Sequence, residues 1–316
     1  MVVEVAGTLA VLLAAGRGVR LAPVTDRIPK AALPVLDVPL AAWGLADLAS
    51  LGAPIVVNVA RNGDFVQAAL APFDFAGVEF ISEAPDPPGG AGTIASLAAR
   101  DFHVVVTRNA DHLVRGLDLP GLVEAHNANG AAMTIVVRAV PEGADVDMSD
   151  GRAVSLIDRR RDRGRPGGLW IGTSVISRSA LELIPARRPI DLTAGLLAPL
   201  IDRGEVAVHI HRGYELDVGT PARYLRACVD LMRQRAPAPP RRIRGTLLEA
   251  AGTLAFVGAD AEIDETSVGG DAIILAAARV PAGCYVARAI VMPGERVPTD
   301  VRVEDAIFFD GKAIPL

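Results

Sequence analysis

LLAAGRGVRLAPVTDRIPKAALPV, residues 12–35, decides how this chain reads. It begins as an apolar strand and turns at Gly16-Arg17-Gly18. It then carries Arg20 and Lys30, the lysine directly after Pro29. A glycine turn behind a strand lets backbone N–H groups come close to an anion. Two cations just beyond such a turn suit a triphosphate, which they would neutralise and orient. Pro29 restrains the backbone ahead of the lysine. The competing reading makes Arg20 and Lys30 ordinary solvated charges.

Working outward, short β-rich runs alternate with helical ones. Strands are expected at 9–15, 54–60, 78–83, 103–111 and 131–140. Helices are expected at 38–52, 64–71, 93–100 and 119–130. Strands apolar on both faces and separated by helices indicate an α/β layer around a Rossmann-like, mostly parallel sheet. Such sheets bind ligands beyond the carboxyl ends of their strands. The glycine turn and Asp111 both fall at such ends.

The pattern changes at RQRAPAPPRRIRG, a Pro- and Arg-rich linker. Beyond it, apolar residues recur about six apart: Val257, Ile263, then Ile274, Val280, Val286 and Met292. That period fits a short left-handed parallel β-helix. A slip of register between Val268 and Ile274, and again near Val297, leaves a short irregular all-β cap as the alternative.

The bulk properties narrow the function. The 316 residues suggest about two domains. A net charge of -5 argues against non-specific nucleic-acid binding, which needs a basic surface. No run is long and apolar enough to span a membrane, and the start lacks a basic leader segment. Cys228 and Cys284 fit no metal spacing and read as buried free thiols, pointing to a reducing cytoplasm.

Two further stretches carry chemistry. PDPPGGAGTIASLAA, 85–99, is a second glycine-rich loop entering a helix, where small residues leave room for a flat base. In TRNADHL, 107–113, Asp111 ends an apolar strand, a place suited to a metal-binding carboxylate. Mg²⁺ takes one or two carboxylates plus phosphate oxygens and water. The second carboxylate would be Asp217 in YELDVGTPARYLRA. His112 reads as structural, since it lacks a matching ligand.

Taken in order, these motifs resemble the sugar-1-phosphate nucleotidylyltransferases over about residues 9–230. The first loop is similar to that family's signature, GGAGT to its base-contacting loop, and NADHL and DVGTPARYLRA to its two metal-aspartate motifs, with Ala110 in a usual glycine place. A weaker likeness, through VVNVA at 56–60 and Ser82-Glu83, is to the mannose-1-phosphate guanylyltransferase-like branch. The resemblance implies a nucleotidyltransferase (GT-A-like) domain over 1–235, a linker over 236–245 and a left-handed β-helix over 246–316. It implies that a sugar 1-phosphate attacks the α-phosphorus of an NTP and releases pyrophosphate. Arg20, Lys30, Asp111 and Asp217 would be catalytic, with Mg²⁺ on the two aspartates. Leu13, Ala14, Ala15, Gly16, Arg17, Gly18, Glu83, Gly89, Gly90, Ala91 and Thr93 would line the nucleotide. GTP is slightly favoured over UTP, dTTP or ATP, and a homo-oligomer is compatible.

The departures gather on the sugar side. Asp158-Arg159-Arg160 stands where the family carries Glu-Lys-Pro, and arginine is not a neutral exchange for a phosphate-gripping lysine. Trp170-Ile171-Gly172 lacks the family's Asn, and Glu142-Gly143 replaces Tyr-Gly. Gly143, Asp158, Arg159, Gly172 and Thr173 are the expected sugar-phosphate residues. A rebuilt pocket implies an unusual acceptor, a modified sugar or a cyclitol 1-phosphate. A non-catalytic nucleotide-binding subunit is the alternative that the same departures allow.

Overall fold

The computed structural model describes residues 6–158, 161–162, 164–250 and 253–316. The chain divides into two compact units, the first comprising 1–16, 41–112 and 116–213, the second 17–40, 113–115 and 214–316.

The first unit is built on a nine-stranded sheet. Its strands are β1 (Thr8–Leu13), β2 (Ile55–Val59), β3 (Val78–Ser82), β4 (Val104–Asn109), β5 (Met133–Val140), β6 (Val146–Ser149), β7 (Arg152–Leu156), β8 (Gly167–Ser177) and β9 (Val206–Ile210). They lie in the order β3-β2-β1-β4-β8-β5-β9-β7-β6, with β8 also touching β6. Helices α1 (Ala41–Ala49), α2 (Gly63–Leu70), α3 (Gly90–Ser96) and α4 (Leu119–Asn129) connect them. Burial of β1 and β2 on both faces explains their continuous apolar runs.

The expected mostly parallel sheet is corrected to a mixed one. β1 to β4 pair in parallel, as does β9 with β5. The long strand β8 instead runs antiparallel to both β4 and β5, and β7 is antiparallel to β6 and β9. Alternation of strand and helix implies crossovers only where a helix intervenes. The segment 141–177 returns through hairpins, and hairpins reverse direction. β8 also carries a register break between Trp170 and Ser174, so Ile171, Gly172 and Thr173 sit in an irregular stretch of strand.

In the second unit, β-structure beyond residue 245 forms three sets of parallel pairings. Phe256 lies beside Ile273, Ile273 beside Ile290 and Ile290 beside Ile307, a constant step of 17 residues. Glu262 with Arg279, and Tyr285 with Arg302, repeat the step on the other sets. The core of this region includes Val268, Ile274, Val280, Val286, Val291, Val297, Val303 and Phe308. Their spacing is six, broken by fives. The steps of five fall at Val286–Val291 and Val303–Phe308, each completing 17 residues with two steps of six, whereas Val268 and Ile274 are six apart; Val291 rather than Met292 belongs to this cluster. Met292 is buried against the Tyr224 hydroxyl instead. A hairpin of Gly245–Ala250 with Thr253–Gly258 precedes the circuits. Helix α5 (Pro221–Met232) completes the unit; Thr220 caps it by accepting from Arg223 N–H.

Candidate active site

In the first unit, β1 and β4 are neighbours and end together: Ala110 N–H donates to the Leu13 carbonyl at 3.0 Å. The chain leaving β1 is fastened at once, because Ala14 N–H donates to Asn58 Oδ1 at 2.7 Å. Asn58, one residue before the end of β2, is buried. Its amide donates to Glu83 Oε2 at 2.8 Å and to Thr93 Oγ1 at 3.1 Å, while the Thr93 hydroxyl donates to Glu83 Oε1 at 2.6 Å. Both glycine loops are thus tied to one carboxylate. Thr93 is fully buried, so it holds Glu83 and Asn58.

The second glycine loop is shaped by the segment at Ile190. Gly89 has φ +79°, and the Ile190 carbonyl occupies the space a side chain would need. Ala91 and Gly92 N–H groups donate to that carbonyl, and Ile190 N–H returns to Pro88. Gly90 packs on Leu192 and Leu13, and Ala91 is buried.

Asp111 follows β4, its side chain 31% exposed, with His112 Nε2 at 3.7 Å from its Oδ1. The residue before this loop is unusual. Arg108 is fully buried, and its Nε and Nη2 donate to Asp47 Oδ2 at 3.2 and 3.1 Å. Its Nη2 also reaches the His112 carbonyl at 3.1 Å. Gly44 on α1 leaves room for this guanidinium stem and for Leu12. Burial holds the Asp47 carboxyl above the usual carboxylate range, and the Arg108 charge opposes that shift.

On the expected sugar side, Gly172 has φ +69° and lies against the Asn109 carboxamide. Thr173 is buried; its carbonyl accepts from Trp170 Nε1 at 3.0 Å. Trp170 N–H donates to Asp145 at 2.9 Å. Gly143 has φ +69° and open space around it. Asp158 is half-exposed beside Arg161, Nε to Oδ2 3.5 Å. Arg159 lies outside the described residues.

The second unit gathers the remaining residues. Gly18 is left-handed, φ +64°, and its carbonyl accepts from Thr25 Oγ1 at 2.9 Å. A short turn at Val19–Leu21 presents Arg20, and another at Lys30–Ala32 presents Lys30. Asp217 lies far along the chain, yet Arg20 Nη2 and Lys30 Nζ each come to 3.8 Å from it. Arg223 Nη1 donates to the same carboxylate at 2.7 Å. Gly219 permits this, because a side chain there would strike both Arg20 and Asp217. Lys30 is 8% exposed, so its charge is held in place, whereas Arg20 is open to solvent. Asp111 and Asp217 both offer carboxylate oxygens, the hard donors that Mg²⁺ takes.

A nucleotidyl transferase family model matches residues 9–146. The N-acetylmuramate alpha-1-phosphate uridylyltransferase of Neisseria meningitidis is 33% identical over 236 residues, spanning 68% of this chain and 94% of that protein. The chain belongs to the sugar-1-phosphate nucleotidylyltransferase family. It is a transferase of that kind. The mannose-1-phosphate guanylyltransferase of Mycobacterium tuberculosis is 27% identical over 300 residues, 88% of this chain and 83% of the relative. A solved structure from Bacillus anthracis, assigned as a glucose-1-phosphate thymidylyltransferase, shares the fold with a TM-score of 0.59 at 17% identity, covering 70% of this chain and 94% of that one. Among family relatives the nucleotide is GTP, UTP or dTTP. Among the described residues no helix is long and apolar enough to cross a membrane.

Sequence reasoning singled out Arg20, Lys30, Asp111 and Asp217 as candidates through their motifs. It passed over Arg223, Asn58, Arg108 and Asp47. The i+6 spacing of Arg223 from Asp217, across a helix cap, was one available signal. An arginine inside the apolar run VVVTRNA was another.

Proposed function

We propose that this enzyme joins an NTP to a sugar or cyclitol 1-phosphate. A phosphate oxygen of the acceptor attacks the α-phosphorus, the bond to the β-phosphate oxygen breaks, and pyrophosphate leaves. The gathering of Arg20, Lys30 and Arg223 on Asp217 carries this reading. Three cations facing one carboxylate form a site in which charge can be exchanged. With a triphosphate present, Arg20 grips the β- and γ-phosphates and Lys30 stabilises charge at the α-phosphate. Ala15, Gly16, Arg17 and Gly18 supply the close backbone approach, and Glu83, with Gly89 and Gly90, sets the place of the base.

Asp111 and Asp217 would hold Mg²⁺, which would supply Lewis acidity toward the reacting phosphates when bound. The residues then do most of their work by positioning. GTP is the first candidate, supported by the guanylyltransferase likeness over 300 residues. UTP is the second, supported by the 33% identity to the uridylyltransferase. On the acceptor side, Asn109 against Gly172 and the Arg-rich run from Asp158 support a pocket for a modified sugar or cyclitol. We read 1–235 as the catalytic domain, 236–245 as a linker, and the 17-residue circuits over 246–316 as turns of a left-handed β-helix. A cytoplasmic place suits its NTP substrate and its two buried free thiols, Cys228 and Cys284.

The test is substitution. Asp111→Asn and Asp217→Asn should each fold and lose at least about 100-fold in pyrophosphate release, since each removes charge stabilisation worth several kcal/mol. Near-normal rates in both would sink the metal assignment. Arg159→Ala should raise the sugar-phosphate KM far more than the NTP KM; equal effects would move the acceptor site elsewhere.

A further inference from the structure

Arg108 is a fully buried cation in the middle of the sheet, paired by register with Leu12 on one side and Thr173 on the other. An apolar residue would fill that position at less cost in desolvation, and buried ion pairs are often no more stable than a well-packed apolar replacement. The position therefore calls for a geometric explanation, and the hydrogen bonds supply one. Two guanidinium nitrogens anchor to Asp47 on α1. The same guanidinium reaches forward to the His112 carbonyl at 3.1 Å, with Nη1 at 3.5 Å from the Asn109 carbonyl. Those two carbonyls bracket Ala110 and Asp111. A short turn with no regular hydrogen-bond ladder of its own is held at both ends by one rigid planar group.

We infer that Arg108, braced by Asp47, is a positioning residue that fixes the Asp111 turn in the geometry needed to bind a divalent cation. The inference rests on the reading of Asp111 as a metal ligand and adds the device that holds it. A guanidinium suits this task because its donors lie in a fixed fork, so that anchoring one edge to Asp47 aims the other. Lysine has a single rotatable ammonium and would not reproduce the two-sided clamp. The clamp also explains why the Arg108 guanidinium is buried: bulk water would compete for the His112 carbonyl.

The test separates geometry from stability. Arg108→Met combined with Asp47→Asn removes both charges, leaves a flexible apolar filler, and keeps a hydrogen-bonding side chain near His211, whose charge acts on Asp47. Arg108→Lys and Asp111→Asn accompany it. The readouts are Mn²⁺ binding to the full-length protein by electron paramagnetic resonance, the thermal midpoint without metal, and the Mg²⁺ dependence of turnover. The double variant should melt no lower than the parent yet bind Mn²⁺ at least tenfold more weakly, with saturation restored at high metal. Arg108→Lys should also lose at least tenfold. Mn²⁺ affinity unchanged in the double variant but lost in Asp111→Asn would overturn the clamp and leave the metal reading intact. Affinity unchanged in Asp111→Asn as well would overturn the metal reading itself. If the double variant does not fold, Arg108→Lys decides: parental Mn²⁺ affinity there overturns the clamp.

Discussion

Lys30 is 8% exposed, and a lysine so enclosed carries a desolvation cost that its surroundings must offset. Asp217 at 3.8 Å meets part of that need, and a phosphate would meet it better. Lys30→Ala should therefore lower kcat about 100-fold, close to 3 kcal/mol of barrier, while the fold survives. Steady-state pyrophosphate release together with circular dichroism would check it; a loss confined to KM would make Lys30 a simple binding contact. Lys30→Arg should not restore the rate, because a planar guanidinium cannot replace a point charge. Asn58 acts differently. It ties Ala14 to Glu83 and Thr93, so Asn58→Ala should raise the NTP KM about tenfold, the equivalent of a lost hydrogen bond to a charged group. The sugar-phosphate KM should stay within twofold of the parent. A parallel rise in both would mean that the network only supports the fold.

At the scale of elements, β1 and β2 were legible because burial on both faces leaves nearly continuous apolar runs, and the half-exposed β3 through its β-rich composition. The direction of β8 was not, because strand pattern reports burial and period but not orientation. The slip in the C-terminal repeat was visible as an irregularity. Only the pairing of Phe256, Ile273, Ile290 and Ile307 shows it to be regular at 17 residues. Each circuit buries its apolar residues against the next, so Ile274→Ala should cost about 2–5 kcal/mol of stability, read by urea unfolding of the full chain. A cost below about 1 kcal/mol would mean that the stacked core contributes little. α4 and β5 are joined by His126, which is buried with Nδ1 2.8 Å from Thr134 Oγ1 and Nε2 3.0 Å from Ser177 Oγ. Burial pushes its pKa below the usual value. The unfolded chain then binds the extra proton first, so this contribution is full above about pH 6.5 and fades as pH falls below it. The thermal midpoint should drop between pH 7 and 5.5, and His126→Asn should flatten that drop; an identical slope in the variant would assign it to other groups.

For the whole molecule, the proposed catalytic groups could be singled out where a motif fixes them by local spacing, as in the Gly-Arg-Gly loop and Asp-Val-Gly-Thr-Pro. Their supporting partners were not. Asp47 precedes Arg108 by 61 residues, and Arg223 is drawn to Asp217 only once α5 is capped at Thr220. Such contacts follow from tertiary packing, which no single window of sequence records. The family relatives use several bases and several acceptors, so identity of the pair is the point on which the proposed function stands. The most direct measurement is pyrophosphate release with Mg²⁺ across GTP, UTP, dTTP and ATP, each against a panel of sugar and cyclitol 1-phosphates. Release is expected with one preferred nucleotide, GTP first, and an acceptor other than plain glucose or mannose 1-phosphate. Efficient turnover of glucose or mannose 1-phosphate would contradict the rebuilt pocket. Silence across the whole panel, with NTP binding retained by thermal shift, would contradict the proposed reaction.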